Sequence, residues 1–198
     1  MSFSQSFLEK TAETANAIDC AAIEKMVAIL RRTREAGGRL FFIGSGGGAG
    51  HASHATCDFR KLGGIETYCP TDNVSELTAR INDDGWENSI ADCLKAMRLK
   101  SGDCLFVFSV GGGNEDKQIS VNLVNAVKLA KKTGAKVLGV VGRDGGYTAS
   151  VADACAIIPT VDAALVTPLA ESFQAVVWHL IVSHPDFQAS TAKWESTK

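Results

Sequence analysis

Proline is scarce in this sequence, with four residues in 198, and no Pro/Ser-rich stretch, repeat or low-complexity tract interrupts it. A linker between separate domains is therefore not expected, and residues 1–198 read as one domain of ordinary size. No Lys/Arg run is present and the formal net charge is -2, which argues against a nucleic-acid surface. The opening residues, MSFSQSFLEK, lack the basic and apolar regions of a signal peptide. No apolar run reads as long enough to span a bilayer. The six cysteines (Cys20, Cys57, Cys69, Cys93, Cys104 and Cys155) contain no CxxC pair and no disulfide-like spacing. Buried, reduced thiols in a cytoplasmic protein are expected, with neither a membrane nor a nucleic acid as partner.

What the sequence does contain is a regular alternation. Phe7, Leu8, Ile18, Ile23, Met26, Val27 and Leu30 recur at helical spacing through the first 36 residues, and Gly37-Gly38 ends that segment. Short apolar runs at Arg39–Ile43, near Glu66–Cys69, and at Asp103–Ser109, Lys136–Gly142 and CAIIPT read as strands. Helical patterns separate them: AGHASHATCDF, VSELTARI, Trp86–Arg98, residues 118–133, and Pro168–Ser183 with proline at its start. Continuous apolar strands alternating with helices predict an α/β fold with a parallel sheet covered on both faces. The long N-terminal helix (1–36) lies outside the alternation in 37–198 and needs a partner, for which another subunit is one possibility.

Two glycine-rich turns follow strands and precede helices. The first is Gly44-Ser45-Gly46-Gly47-Gly48, the second Ser109-Val110-Gly111-Gly112-Gly113-Asn114. Such turns let backbone amides approach an anion, and the following helix start adds positive dipole character. In open α/β sheets, ligands bind at these carboxyl ends of the strands. The first turn is no Walker loop, since no GK[ST] follows. It also lacks an acidic residue closing a neighbouring strand, so a nucleotide cofactor is not expected. A phosphorylated small molecule fits two such turns on one sheet.

The motifs then become specific. GSGGGAGHASH, LTARINDDGW, GDCLFVFSVGGGN, VVGRDGG and VADACAIIP follow one another in the order and register of the SIS domain family, and this chain resembles its sedoheptulose-7-phosphate (phosphoheptose) isomerase type. The resemblance implies a five-stranded parallel sheet in a flavodoxin-like three-layer sandwich, a homo-oligomer, usually a tetramer, and active sites at subunit interfaces. It also implies interconversion of sedoheptulose 7-phosphate and D-glycero-D-manno-heptose 7-phosphate. On its motifs, Ser45, Gly46, Gly47, Ser109, Gly111, Gly112, Asn114 and Ser120 would hold the sugar phosphate, and Asp83 the sugar hydroxyls. The hydroxyl-rich loop of the family is altered: Ser109 remains, while Val110, Gly111 and Asn114 replace the other three. Backbone amides must then carry more of the anion binding.

Aldose–ketose isomerisation moves a proton between C1 and C2 through an enediol. It requires a base, a group that handles the hydroxyl proton and stabilisation of developing charge. His54 and Asp58, four apart on one helix, share a face. Glu171 and His179 lie eight apart on the last helix. These spacings match the metal-linked residues of the family, with Asp58 as base and His179 as second acid/base. His54, Asp58, Glu171 and His179 are then candidate zinc ligands. A competing register places Ala170 and Trp178 at the last two positions. The remaining polar residues have plainer readings: His51 as a polar residue on a small-residue helix, His184 at a helix end and Asp144 in turn chemistry. Relatives of the family also include non-catalytic sugar-phosphate sensors and adaptors for a replication initiator. A binding module and an isomerase of another phosphosugar therefore stand beside the heptose isomerase.

Overall fold

The computed structural model describes residues 1–191. Five strands, β1 (Leu40–Gly44), β2 (Thr67–Tyr68), β3 (Cys104–Ser109), β4 (Lys136–Val141) and β5 (Ala154–Ile157), form one parallel sheet in the order β2-β1-β3-β4-β5. Alternate residues of each strand enter opposite layers, as the period of two requires. Leu40, Phe42, Phe106, Phe108, Leu138 and Val140 face α2 (Cys20–Glu35), α3 (Gly47–Lys61) and α8 (Val166–Ser183). Phe41, Ile43, Leu105, Val107 and Val137 face α5 (Ser89–Ala96) and α6 (Val121–Thr133). The predicted three-layer α/β sandwich is therefore present. The chain order reverses at β1 and β3, so their carboxyl ends form the switch point of the sheet.

Several sequence expectations need correction. Residues 1–36 form two helices, α1 (Phe3–Ala17) and α2, because Ile18 leaves helical geometry and Asp19 caps the second, its carboxylate accepting the Ala21 amide at 2.9 Å. α1 starts on a capping box between Ser2 and Gln5 and leaves Phe3 and Leu8 exposed. α4 (Val74–Asp84) extends through the aspartates that had been separated from it. A six-residue helix, α7 (Gly146–Val151), follows the RDGG turn. Pro168 is the third residue of α8, not its first. Cys69, Cys93 and Cys104 are buried as expected, but Cys20 and Cys57 are exposed. Burial pushes the thiol of Cys69 up to about 11 and that of Cys155 up to about 12.

Residues 163–183 are, contrary to the sequence reading, long and apolar enough to cross a bilayer, with a mean hydropathy of 1.4. In the fold this segment contains α8, which buries Leu169, Phe173, Val177, Trp178, Ile181 and Val182 in the largest core cluster. Its apolar length is thus used against α3 and the sheet. Val176 and Leu180 remain on the outer face.

Candidate active site

The first glycine turn packs α3 tightly onto β1 and β3. A side chain at Gly48 would come within 2.6 Å of the Phe108 carbonyl oxygen, so only glycine admits that approach. Neither α3 nor α6 carries a side-chain cap at its start. At the switch point the amides of Gly47, Val121 and Asn122 have no partner among the described residues, whereas those of Gly48 and Leu123 already reach the Ser45 and Ser120 carbonyls.

A cleft of about 630 Å³ lies there. Ser45, Ser109, Gly111, Asn114 and Ser120, all singled out from the glycine-turn motifs, line it together with Lys117, Arg143, Asp144 and Thr167. The Ser109 hydroxyl accepts the Gly112 amide at 3.0 Å, and the Ser45 hydroxyl accepts from Asn122 Nδ2 at 3.3 Å. Each serine therefore keeps its own proton to donate into the cleft. Asn122 is fully buried and its Oδ1 has no partner among the described residues.

Four residues expected to contact phosphate or sugar do not line this cleft. Gly112 is buried, its amide is committed to Ser109, and it sits against the Gly145 carbonyl, so it builds the turn and does not face the cleft. Gly47 faces the Glu171 carboxylate, and Gly46 opens onto a neighbouring groove. Asp83 is exposed in the last turn of α4, where it accepts the Asn82 amide at 2.8 Å, away from the cleft lining. The neighbouring groove, about 410 Å³, shares Ser45 with the cleft. It runs past Gly50 and Ser53 of α3, with Thr71, Asp72 and Trp86 opposite.

The side chains of α3 and α8 meet in successive pairs in the same order along both helices: Gly47 with Glu171, His51 with Gln174, and His54 and Asp58 with Trp178 and His179. Asp58 Oδ2 lies 3.6 Å from His54 Nε2, 3.6 Å from His179 Nε2, and accepts the Trp178 indole N–H at 3.2 Å. Trp178 is buried beneath this group while both histidines are exposed. His179 Nδ1 is 2.8 Å from the Ala175 carbonyl, so Nδ1 carries the proton and the Nε2 lone pair points at the carboxylate. Two electron-rich atoms facing each other need a proton or a cation between them.

His54, Asp58 and His179 offer ligand atoms all within 4.8 Å of one another. Two imidazole nitrogens and a carboxylate suit a catalytic zinc that keeps one position open. Glu171, the fourth expected ligand, stands two turns away against Gly47 at the start of α3, where the helix dipole favours a carboxylate. His51 belongs to a half-buried pair with Gln174 at 3.0 Å, and Gln174 Nε2 is buried without a partner among the described residues. His184 ends α8 as expected. Its Nδ1 accepts the Asp186 amide, which leaves Nε2–H to donate to Glu24 at 3.2 Å. Asp144 closes its turn by accepting the Gly146 amide at 3.1 Å.

Sequence reasoning missed Lys117, Arg143, Thr167, Trp178 as a donor to Asp58, and Gln174. The cations stand in loops, Thr167 is exposed in the first turn of α8, and Gln174 and Trp178 lie on the buried side of that helix.

Comparison with known proteins agrees with this architecture. A profile of the SIS domain family matches residues 4–142. The chain is 36% identical over 163 residues to the lincomycin biosynthesis protein LmbN of Streptomyces lincolnensis. That match covers 79% of this chain and 59% of LmbN. It is 30% identical over 169 residues to the phosphoheptose isomerase of Rhodospirillum rubrum, covering 82% of this chain and 84% of that enzyme. The structure of phosphoheptose isomerase GmhA from Neisseria gonorrhoeae superimposes with a TM-score of 0.78 over 90% of this chain and 94% of that one, at 23% identity. With its motifs in register and its sheet built on the same plan, the chain belongs to the SIS domain family, in its phosphoheptose isomerase branch.

Proposed function

We propose that this protein is a phosphosugar isomerase that interconverts sedoheptulose 7-phosphate and D-glycero-D-manno-heptose 7-phosphate through an enediol. The observation that carries the reading is the convergence of His54, Asp58 and His179 on two adjacent helices that lead away from an anion-binding cleft. The separation suits the substrate. His54 lies seven residues beyond Gly47, roughly 10 Å along α3. An extended seven-carbon chain with phosphate on its far end spans roughly 10 Å at ordinary bond lengths. The groove beside Ser45 and Ser53 offers a path between the two ends.

In this reading Asp58 takes the C1 proton of the ketose, the electron pair forms the C1–C2 double bond, and the proton returns to C2. His179 passes the hydroxyl proton between O1 and O2, its ring held by the Ala175 carbonyl. The Trp178 N–H orients the Asp58 carboxylate and keeps it in register with both histidines. Zinc, where bound, would take His54, Asp58 Oδ2 and His179 Nε2 as ligands and polarise the C2 carbonyl; it would then replace the His179 proton shuttle and leave the second Asp58 oxygen as the base. Copies of the chain complete the site as a cytoplasmic homotetramer, which the exposed Phe3, Leu8, Val176 and Leu180 support.

A second reading, a non-catalytic sugar-phosphate module, is favoured by the Trp178 bond that already occupies Asp58 Oδ2. The test is NMR of purified protein with sedoheptulose 7-phosphate, with and without zinc. Aldose product from the wild type, reduced about 10²- to 10⁴-fold in Asp58→Asn, supports the isomerase. Binding without turnover supports the module, and turnover only on another phosphosugar reassigns the substrate.

A further inference from the structure

We infer that Arg143 and Lys117 form a cationic clamp that gives the cleft its selectivity for a phosphate dianion, in place of a hydroxyl-only loop. This inference rests on the cleft assigned above to the phosphate end of the substrate. Both side chains line that cleft, and neither has an ion-pair or hydrogen-bond partner among the described residues. Free cations lining a polar cleft, beside two serine hydroxyls and the uncapped start of α6, describe an anion site built for more than one negative charge. The one carboxylate in the lining, Asp144, is turned to the Gly146 amide and is thereby held by its own loop.

The backbone at these positions is specialised. Four non-glycine residues adopt positive φ among the described residues; two of them line this cleft, Ser120 at 51° and Arg143 at 55°, and a third, Gln118 at 54°, lies between the lining residues Lys117 and Ile119. Left-handed geometry is costly for residues with a side chain and persists where the surroundings impose it. Glycine would relieve it at 143, yet the position holds the residue with the largest cationic group. The Arg143 stem crosses Gly111, where a side chain would come within 3.5 Å of its Cδ. Lys117 is presented from the opposite side on a small closed flap. Asn114 and Ile119 exchange both backbone hydrogen bonds at 2.9 Å, Asn114 Oδ1 accepts the Lys117 amide at 2.8 Å, and Lys128 anchors Glu115 to α6. The two cations are thus aimed by two different local structures at one space.

The experiment measures inorganic phosphate binding by calorimetry for the intact chain and for Arg143→Gln, Lys117→Gln, Arg143→Gly and Lys132→Gln, an exposed cation outside the cleft. Arg143→Gln is expected to weaken phosphate about ten- to a hundredfold, the range for one hydrogen bond to a charged group. Lys117→Gln is expected to weaken it severalfold, and Lys132→Gln not at all. Arg143→Gly is expected to lose affinity equally while its Tm stays level or rises, because the left-handed strain is relieved. A purely structural arginine would lower Tm instead. Equal phosphate affinity in wild type and the cleft variants, or no binding by wild type, overturns the clamp. Turnover on sedoheptulose 7-phosphate is scored separately. Lost phosphate binding in the variants without any wild-type turnover keeps the clamp and sinks the isomerase; retained turnover with unchanged affinities does the reverse.

Discussion

The two ends of the sheet are built on opposite principles. At the amino end, Asp103 is fully buried between β1 and β3. Its carboxylate accepts Arg39 Nη2 at 2.7 Å, Arg39 Nε at 3.3 Å, and the backbone amides of Arg39 and Lys100 at 3.0 Å each. Arg39 spends its remaining donors on the carbonyls of Met97 and Arg98, and the bond to Asp103 raises its affinity for its proton further. At the carboxyl end, Asn122 Oδ1 and Gln174 Nε2 are buried, two helices start without a side-chain cap and two cations line the cleft, all without partners among the described residues. Saturated polar groups hold a fold together, whereas polar groups left open around a cleft are available to a ligand. Stability is therefore concentrated at one end of the strands and recognition at the other.

That contrast predicts its own largest effect. Asp103→Ala leaves two backbone amides and a partly exposed guanidinium without their carboxylate, and each buried donor left unpaired costs about 1–3 kcal/mol. Against the ~5–15 kcal/mol of a typical domain this is severe. Urea denaturation is expected to show the loss, while phosphate affinity of the folded fraction stays within twofold. A destabilisation below ~1 kcal/mol, or a matching fall in affinity, would erase the distinction between the two ends.

The sheet was legible in the sequence because each strand is a continuous apolar run closed by glycine or a polar turn, and such runs have few other uses. The helix boundaries were less so. The apolar period passes through Ile18 without interruption, so the break imposed by the Asp19 cap left no mark in the pattern. The flap at 114–119 is polar and lacks proline, which let it merge into the start of the following helix. Within the site, His54 and Asp58 could be paired because a spacing of four is local to one helix. Their meeting with His179 depended on how α8 lies along α3, which motif spacing could suggest and only packing could place. Glu171 shows the limit: correct spacing on α8 put it on the same helix face, but two turns earlier and opposite Gly47. Arg143 and Lys117 carried no signal because a loop cation in one sequence looks like any solvated charge.

Gly112→Ala tests whether the open end is also rigid. Gly112 has a φ of 69° and lies against the Gly145 carbonyl, and its own carbonyl accepts both the amide and the hydroxyl of Thr148. The substitution forces left-handed geometry on alanine, about 1–2 kcal/mol, and displaces the loop that carries Arg143. A lower Tm together with weaker phosphate binding is expected. If Tm falls and phosphate affinity holds, the turn serves the fold alone and the open end is more tolerant than its geometry suggests.

The smallest effect lies midway, at the edge of the amino-end layer. Burial pushes the Asp153 carboxylate up, but the Lys136 ammonium at 2.8 Å, the Val137 amide at 2.9 Å and the nearby Lys131 together bring it below the ordinary carboxylate range. Because its folded pKa is depressed, the stabilisation is complete above the unfolded value near ~4 and disappears as pH falls through the lower folded value. Asp153→Asn is expected to cost under ~1 kcal/mol at neutral pH, as befits a partly exposed ion pair. The difference between wild type and variant, read from urea midpoints, should shrink steadily from pH 6 toward pH 3 and also on adding salt. Asparagine can still accept the Val137 amide, so that bond cancels in the comparison; a difference that stays constant with pH would assign the effect to side-chain packing and not to the lysine charges.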